Sequence, residues 1–387
     1  MPDDRNDLNK KKPLSDKTLK ANKKGYLLSI DMRQLGNIFF SKNPPWNILF
    51  FGSDEFSLET LKKLKENMES SGNRCVKSIE VACKAYPCKV RSFAKEQRLA
   101  IHTWPIPTMK DKYDVGVVVS FGRLIPERVI NMFPHGILNV HASLLPRWRG
   151  AAPLIHSILN GDETTGISIM EIRPKRFDIG PLLLQKAYAM PPKCTMMELR
   201  SFLAKEGATL LLETLCQLNC LESLENEQGH HGITYAHKVK PYMAYINWAD
   251  QTAVQIERQY RAIHEMMPLK TKWKGEDLKL LDMILNDITK EYNIDDLIRQ
   301  KTTFNSSSSV VPGTVLHYKA DNSLVVKCLN GWVAFRNVVL KKPMSSQDFY
   351  NGYLSKVKPK TLNIFESREN FLYADIYNEK VTDRKNS

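Results

Sequence analysis

The sequence predicts an α/β fold class, with a Rossmann-like, mostly parallel sheet in a first domain and a small OB-like β-barrel in a second. Up to about residue 221, nearly continuous apolar runs alternate with amphipathic runs, which is typical of parallel strands buried between helices. From residue 233 the apolar runs are short and separated by turn residues, as in small barrels. Between two of these runs, Asn330-Gly331 is a strong hairpin signal.

Apolar runs of strand length account for the first sheet. In chain order they are NILFFG, IEVAC, IHTW, DVGVVVS, GILNVH, TGISIMEI and PLLLQKAYAM. The helices predicted between and after them are EFSLETLKKLKE, RSFAKEQRL, PERVINMF, PLIHSILNGD and TMMELRSFLAKEGATLLLETLCQL. The first helix carries Leu58, Leu61 and Leu64 near one side, with lysines between them. Pro126 suits the first turn of the third helix, and Gly161 is a stop signal for the fourth.

The second domain is predicted to hold a helix followed by short strands. The helix is DQTAVQIERQYRAIH, and the strands are LKLLDMIL, GTVLHYK, SLVVKC and WVAFRNVVL. The polar stretch ESLENEQGHHG has no periodicity and is expected to link the two domains. The expected division is a polar tail at 1–45, the first domain at 46–221, a linker at 222–232, the second domain at 233–363 and a polar tail at 364–387.

Composition and charge indicate how many domains the chain forms and what kinds of partner it binds. The 387 residues are enough for two domains with separate cores. The net charge of +14 favours an anionic partner. No run of about 18 apolar residues is present, so no membrane partner is expected. The seven cysteines show no CxxC pair or zinc spacing, so we expect free thiols and no metal site. From Met32, the basic and apolar segment MRQLGNIFFSKNPPW would suit a presequence with a later start.

Glycine patterns argue against two common nucleotide-binding classes. The turn after the first strand reads FFGSDEF and lacks GxGxxG, and GxxxxGK[ST] occurs nowhere. A nicotinamide dehydrogenase and a P-loop NTPase therefore both lose their main support. Ligands of open α/β sheets bind outside the carboxyl ends of the strands. In this chain that edge is expected to carry Asn139 and His141.

Asn139, His141 and Asp178 form the candidate catalytic set. Asn139 and His141 end one strand, and Asp178 lies between two later strands, where the same sheet edge would bring it to His141. An imidazole held by a carboxylate can polarise a carbonyl or move a proton near neutral pH, and an Asn amide can donate to a developing oxyanion. Such a set suits direct acyl transfer to an amine. Taken singly, a core histidine and a turn aspartate explain the same residues.

Two longer stretches resemble a known family. NVHASLLPRWRGAAP resembles the signature of enzymes that use 10-formyltetrahydrofolate, and GDETTGISIMEIRPKRFDIG is similar to their next landmark. ITYAHKVKPYMAYINW and VPGTVLHYK resemble the C-terminal domain of the methionyl-tRNA formyltransferase family, and IRPKRFDIGPLL its animal mitochondrial members. The resemblance runs from Trp46 to about Leu354. It implies formyl transfer from the co-substrate 10-formyltetrahydrofolate to a methionyl-tRNA acceptor arm, without a metal, by a monomer in the mitochondrial matrix.

The resemblance also implies roles for individual residues. Asn139, His141 and Asp178 match the family's catalytic trio. The residues expected to bind folate are Ser143, Leu144, Leu145, Pro146, Phe121 and Gly122. The basic residues expected to contact tRNA are Lys84, Lys89, Arg91, Arg147, Arg149, Arg173, Lys175, Arg176, Lys341, Lys342 and Lys356. One departure is that CKAYPCKVRS replaces the long basic loop that bacterial members carry after the second strand.

The acceptor is the point on which the alternatives differ. Enzymes with a similar core formylate glycinamide ribonucleotide or a UDP-amino sugar, and others hydrolyse the formyl group. The enzyme that formylates glycinamide ribonucleotide lacks the second domain. The enzymes that formylate UDP-amino sugars would not need a basic barrel. A protein of another class, an RNA-binding protein on an inactive formyltransferase scaffold, would not need the complete set of Asn139, His141 and Asp178.

Overall fold

The computed structural model describes residues 43–109, 111–175, 177–222, 226–285, 292–301, 310–356 and 362–368. The predicted tails lie largely outside these ranges, as does the expected tRNA contact Arg176.

Sixteen strands and nine α-helices are formed by the described residues. The strands are β1 (Trp46–Gly52), β2 (Val76–Cys83), β3 (Ala100–Thr103), β4 (Val115–Val119), β5 (Ile137–His141), β6 (Arg149–Gly150), β7 (Thr164–Glu171), β8 (Leu182–Ala189), β9 (Tyr235–Ala236), β10 (Leu269–Trp273), β11 (Glu276–Ile284), β12 (Thr314–Tyr318), β13 (Ser323–Lys327), β14 (Trp332–Val339), β15 (Pro343–Ser345) and β16 (Asn363–Ile364). The helices are α1 (Glu55–Glu69), α2 (Lys89–Glu96), α3 (Glu127–Ile130), α4 (Pro153–Asn160), α5 (Met196–Cys216), α6 (Leu218–Glu222), α7 (Ala253–Ile263), α8 (Ile294–Lys301) and α9 (Ser346–Phe349).

The first sheet is mixed and mostly parallel. Its strand order is β3-β2-β1-β4-β5-β7-β8. In the part of the sheet from β3 to β5, adjacent strands are parallel to one another, whereas β7 is antiparallel to both β5 and β8. Every predicted strand and helix of this domain is present, with ends shifted by a few residues. The prediction of a Rossmann-like, mostly parallel sheet is confirmed.

Both faces of this sheet are buried. Successive side chains of a strand point to opposite faces. On β1, Ile48 and Phe50 belong to the larger core with α1 and α5, whereas Leu49 and Phe51 belong to a smaller core that contains Val129 of α3. The central strands β1 and β4 therefore read as unbroken apolar runs, whereas the outer strands β3 and β8 have exposed residues.

The second sheet is antiparallel and curls on itself. Its order is β10-β11-β14-β13-β12-β16, and β15 pairs with β14. The two ends meet where Lys272, on β10, pairs with Glu366, just after β16. Phe335, Phe349 and Phe365 are fully buried in its core. The sheet is therefore barrel-like.

The sequence missed the two strands through which this sheet closes. The run LKTKW forms β10, in which Leu269, Thr271 and Trp273 point inward and alternate with two lysines. Because of the lysines the run has too few apolar residues to be predicted as a strand. The predicted tail from residue 364 begins inside the sheet, where Ile364 pairs with Thr314. NIFES has only two large apolar side chains, Ile364 and Phe365, too short a signal to predict a strand.

The predicted linker and the residues that directly follow it pair with the first domain at several points. Asn226 forms a bridge with Leu182, and β9 runs parallel to β6. The backbone N–H of Trp148 donates to Thr234 Oγ1 over 2.9 Å. This segment therefore lies along the loop that follows β5.

A helix pair joins the barrel-like domain to the first domain. Helices α4 and α7 pack against each other. Arg258 Nη1 donates to the carbonyl of Asn160 at the end of α4. Gly161 has φ +71° and ends the helix, and a Cβ there would lie 2.0 Å from the Arg258 guanidinium carbon. A side chain at residue 161 would therefore disturb this contact.

Two expectations from the composition can be compared with the structure. All seven cysteines are free thiols, as predicted. In the part of the chain that the structure describes, no helix is both long enough and apolar enough to cross a membrane.

A half-buried cluster around Glu80, on the outer strands, supports a prediction about acid stability. Burial alone would raise the pKa of Glu80, but hydrogen bonds from Lys112, His102 and Tyr113 lower the pKa to about 2. A lowered folded-state pKa gives stability that is complete above the usual value of 4.5 and is lost as the pH falls from there towards 2. We expect Glu80→Gln to lower the free energy of unfolding at pH 7 by about 1–2 kcal/mol after solvent screening.

Urea denaturation of the wild type and Glu80→Gln at several pH values checks this prediction. The difference in unfolding free energy should be constant above about pH 6 and shrink below about pH 4.5. Glu66→Gln, at a side chain that is 70% exposed, is the control. An equal difference for Glu80→Gln at every pH would contradict the assigned pKa.

Candidate active site

Strand β5 presents Asn139 and His141 on one face. They are two residues apart and therefore point to the same side of the strand. Their strand lies between β4 and β7, so neighbouring strands fix its backbone on both sides. His141 is 6% exposed, and Asn139 is half-buried. Both side chains are thus held on rigid backbone.

Asp178 reaches these residues by a route that the sequence did not indicate. Strand β7 is antiparallel to β5, with Glu171 opposite Leu138, so β7 ends near the start of β5. The loop between β7 and β8 then turns back and brings Asp178 over Asn139 and His141. The three predicted residues meet, but the meeting point is a folded-back loop and not a shared carboxyl edge of two parallel strands.

One carboxylate oxygen is the centre of the site. The Asn139 side-chain amide donates to Asp178 Oδ1 over 3.3 Å, and His141 Nδ1 lies 3.6 Å from the same oxygen. The backbone N–H of Gly150 donates to Asp178 Oδ2 over 2.9 Å. Asp178 itself has φ +55°, a backbone conformation that costs free energy for a non-glycine residue. The surroundings therefore hold this carboxylate in a strained but defined position.

The other ring nitrogen of His141 fixes its tautomer. His141 Nε2 lies 2.9 Å from the carbonyl oxygen of Trp148. A carbonyl only accepts hydrogen bonds, so Nε2 must carry a proton in both the neutral and the charged ring. The atom that can gain or lose a proton is therefore Nδ1, which faces Asp178 and Asn139.

An aspartate at the end of α4 holds the loop that carries Trp148. Asp162 accepts two hydrogen bonds from Arg147, over 2.9 and 2.6 Å, and one from the Trp148 indole over 2.7 Å. Burial alone would raise the pKa of Asp162, but the hydrogen bonds from Arg147, Trp148 and Asn160 keep the pKa below its usual value. Trp148 has φ +61°, so these contacts maintain a strained residue beside His141. Arg147, an expected tRNA contact, has an internal partner because the loop folds back onto α4.

Sequence reasoning missed Gln228, which lies in the predicted linker. Gln228 Nε2 donates to the carbonyls of Asp178 and Gly180 over 3.0 and 2.8 Å. Arg149 Nε and Nη2 donate to Gln228 Oε1 over 3.0 and 2.6 Å. Arg149, another expected tRNA contact, is therefore also paired internally. A glutamine in a polar stretch carries no local signal of such a role.

Comparisons with known proteins identify the family. Residues 107–215 match the formyl transferase family and residues 238–354 its C-terminal domain. The chain is 43% identical over 319 residues to the mitochondrial methionyl-tRNA formyltransferase of Homo sapiens, covering 81% of this chain and 79% of the relative. The corresponding protein of Mus musculus is 43% identical over 321 residues, covering 81% and 80%. The chain belongs to the methionyl-tRNA formyltransferase family.

A solved structure outside the methionyl-tRNA formyltransferase family shares the fold. It is an N-formyltransferase from Helicobacter canadensis in complex with folinic acid and dTDP-3-aminofucose. The TM-score is 0.53 at 14% identity, over 75% of this chain and 98% of that chain. The architecture is thus shared at low identity.

The residues expected to bind folate divide into two groups in this member of the methionyl-tRNA formyltransferase family. Ser143 is buried, and its hydroxyl donates to the carbonyl of Arg147 over 2.7 Å. Leu145 is also buried, and its backbone N–H donates to Ser168 Oγ. These two residues shape the loop from inside. Leu144, half-buried, packs against Gly166, where a Cβ would lie 2.4 Å from it.

The remaining expected folate residues differ in exposure. Phe121 is buried and packs edge-on against Phe51 and Trp104. Gly122 is exposed, and a Cβ there would meet nothing within 4 Å. Pro146 is half-buried. Of the six residues expected to bind folate, Gly122 is therefore the exposed one, and Leu144 and Pro146 are half-buried.

The other basic residues expected to meet tRNA vary in their surroundings. Arg91 donates to the carbonyl of Lys84, and Arg173 lies 3.2 Å from Glu171. Lys89 is exposed and lies 3.8 Å from Glu55. The exposed lysines among the rest are Lys175, Lys341, Lys342 and Lys356.

Proposed function

We propose that this chain transfers the formyl group of 10-formyltetrahydrofolate to the amino group of methionyl-tRNA, producing formylmethionyl-tRNA for translation initiation in mitochondria. The observation that carries the proposal is the likeness to mitochondrial methionyl-tRNA formyltransferases across both domains. The convergence of Asn139, His141 and Asp178 supports it, since these groups suit acyl transfer to an amine.

Asn139 and His141 would stabilise the charge that develops during transfer. The methionyl amine attacks the formyl carbon, and the carbonyl oxygen becomes negative. The Asn139 amide and, in the protonated ring, the His141 Nδ1–H both lie beside Asp178 Oδ1, and a formyl oxygen placed next to that atom would accept from both. The carbonyl of Trp148 keeps the ring oriented for this role. No covalent intermediate with the enzyme is needed.

Asp178 would manage the proton. A new carbon–nitrogen bond forms to the methionyl amine, and the bond from the formyl carbon to N10 of the folate breaks. The amine loses one proton and N10 gains one, so no further reactant is required. Asp178 lies beside both Asn139 and His141 and is the nearby carboxylate that can accept this proton before N10 receives it.

The folate would lie against the open backbone at the carboxyl end of β4. Around Gly122, exposed N–H and C=O groups can read the polar edge of a pterin ring. Leu124 is largely exposed next to this turn and offers an apolar surface. The loop at 143–146 would border the same ligand through Leu144 and Pro146, with Ser143 and Leu145 holding its shape.

The second domain is proposed to bind tRNA. Its barrel-like sheet would be an OB fold, with the domain boundary moved from 363 to about 368 to include Phe365 and Glu366. Exposed Lys341, Lys342 and Lys356 would neutralise phosphates. From the first domain, Lys84, Lys89, Arg91, Arg173 and Lys175 remain proposed contacts. Arg147 and Arg149, whose guanidinium groups bind Asp162 and Gln228, remain proposed contacts as well. The chain would act as a monomer in the mitochondrial matrix.

An acceptor comparison tests the proposed function. Labelled 10-formyltetrahydrofolate is offered in parallel to methionyl-tRNA, glycinamide ribonucleotide and a UDP-amino sugar, with the wild type and with His141→Ala. We expect label on methionyl-tRNA alone, and its loss in the variant. The product is identified by releasing formylmethionine from the tRNA.

Each other outcome has a distinct meaning. Label on a small acceptor would retain the folate chemistry and overturn the role of the second domain. No transfer, together with tight and salt-sensitive tRNA binding, would favour an RNA-binding protein on an inactive scaffold.

A further inference from the structure

Gln228 is a buried polar side chain next to the candidate site with a complete set of hydrogen bonds. It is 8% exposed, and its amide donates to two carbonyls while its oxygen accepts from two nitrogens of Arg149. The side chain can make only this number of strong bonds, with two donors and two lone pairs. A buried amide that is fully bonded in this way has a single orientation.

The two carbonyls that Gln228 binds belong to the turn that carries the catalytic carboxylate. Asp178 has a positive φ, and Gly180 packs so closely on Glu171 that a Cβ would lie 1.8 Å from the Glu171 carbonyl oxygen. Carbonyls in a strained, tightly packed turn need donors if the turn is to stay in place. Gln228 supplies one donor to each.

Arg149 connects the same glutamine to the loop after β5. The next residue, Gly150, donates its backbone N–H to Asp178 Oδ2. Gln228 therefore touches the backbone of Asp178 directly and, through Arg149, the segment that binds the carboxylate. Both routes fix where Oδ1 lies relative to Asn139 and His141.

We infer that Gln228 is a positioning residue of the formyl-transfer site, which the inter-domain segment contributes to the first domain to hold Asp178 in place. The inference rests on the proposed function, because it assigns Gln228 to the same reaction. The segment is thus a part of the site and more than a connection. Displacing a reacting group by about 1 Å can cost on the order of 100-fold in rate.

Gln228→Glu tests this role by changing one atom. The carboxylate still accepts from Arg149 but cannot donate to the carbonyls of Asp178 and Gly180. We expect kcat for formyl transfer to fall about 10- to 100-fold, with KM for methionyl-tRNA little changed. In an Asp178→Asn background, the same substitution should lower kcat by less than about twofold, because Gln228 acts through Asp178.

Gln259→Glu is the matched control. Gln259 is also fully buried, and its amide donates to the carbonyls of Met243 and Tyr245 over 2.7 and 3.1 Å. Both variants should lower the melting temperature, but Gln259→Glu should leave kcat of the folded enzyme unchanged. This comparison separates a loss of stability from a loss of positioning.

The measurement is single-turnover transfer of labelled formyl to methionyl-tRNA by folded enzyme. Equal losses of kcat for Gln228→Glu in the wild-type and Asp178→Asn backgrounds would overturn the inference, as would a change in KM alone. The inference would also be overturned if Gln259→Glu lowered kcat as much as Gln228→Glu does. No transfer by the wild type to any acceptor would overturn the proposed function, and this inference with it, before any variant is compared.

Discussion

His141→Ala is expected to lower kcat for formyl transfer by about 10²- to 10⁴-fold. The substitution removes Nδ1, the one ring atom that faces Asp178 and can exchange a proton, since Nε2 is committed to the carbonyl of Trp148. Binding of methionyl-tRNA should change little, because His141 is buried. The measurement is single-turnover transfer at saturating concentrations of both substrates, beside a tRNA-binding assay.

His135→Ala is the matched control for this prediction. His135 lies two residues before β5 begins, whereas His141 is its last residue. Like His141, His135 is largely buried and close to a carboxylate, with Nδ1 at 3.0 Å from Glu222 Oε1. It should lose stability and keep its turnover number. Normal turnover by His141→Ala would show that the imidazole has no chemical role.

Asp178→Asn should lower kcat by a similar factor, about 10²- to 10⁴-fold. The amide keeps the size of the side chain, but it carries no charge and only one acceptor oxygen. In Asp178, one oxygen accepts from Asn139 and the other from the Gly150 N–H, whereas the amide has only one oxygen and can keep only one of these two bonds. The amide also cannot take the proton that the amine releases. Stopped-flow transfer and KM values for both substrates measure the effect.

Asp114→Asn provides the comparison for a buried carboxylate with a structural role. Asp114 Oδ2 accepts from the backbone N–H and the side-chain amide of Asn47, over 2.7 and 2.9 Å, before the start of β4. Its loss should reduce stability and leave kcat of the folded protein intact. If both aspartate variants lowered kcat equally, the special position of Asp178 would be refuted.

The fold of the first domain could be predicted because its signals are local. A run such as DVGVVVS, with every residue of β4 buried, can hardly be other than an interior strand. The capping box of Thr195 and Glu198 marks the start of α5 within four residues. The convergence of Asn139, His141 and Asp178 was also anticipated, but from parallel strands, whereas antiparallel β7 and a returning loop produce it.

The contacts that set the fine geometry of the site could not be predicted in the same way. Arg147 and Arg149 read as exposed cations beside a catalytic loop, and only the fold shows Asp162 and Gln228 beside them. Arg149 and Gln228 are 79 residues apart. A pairing over such a distance leaves no periodicity or motif in a single sequence, so the sequence could not predict these internal partners.

The partner that holds His141 Nε2 is a main-chain carbonyl, and this has a consequence for mutational scanning. No substitution deletes the carbonyl of Trp148, so a scan of single side chains would record no residue that fixes the tautomer. Loss of the correct tautomer would be detected only through substitutions that move the backbone of Trp148, such as those of Asp162 or of the Trp148 indole that it binds. A loss of activity on substituting Asp162 would then reflect the position of the proton on His141, although the structure shows no hydrogen bond between the Asp162 carboxylate and the imidazole.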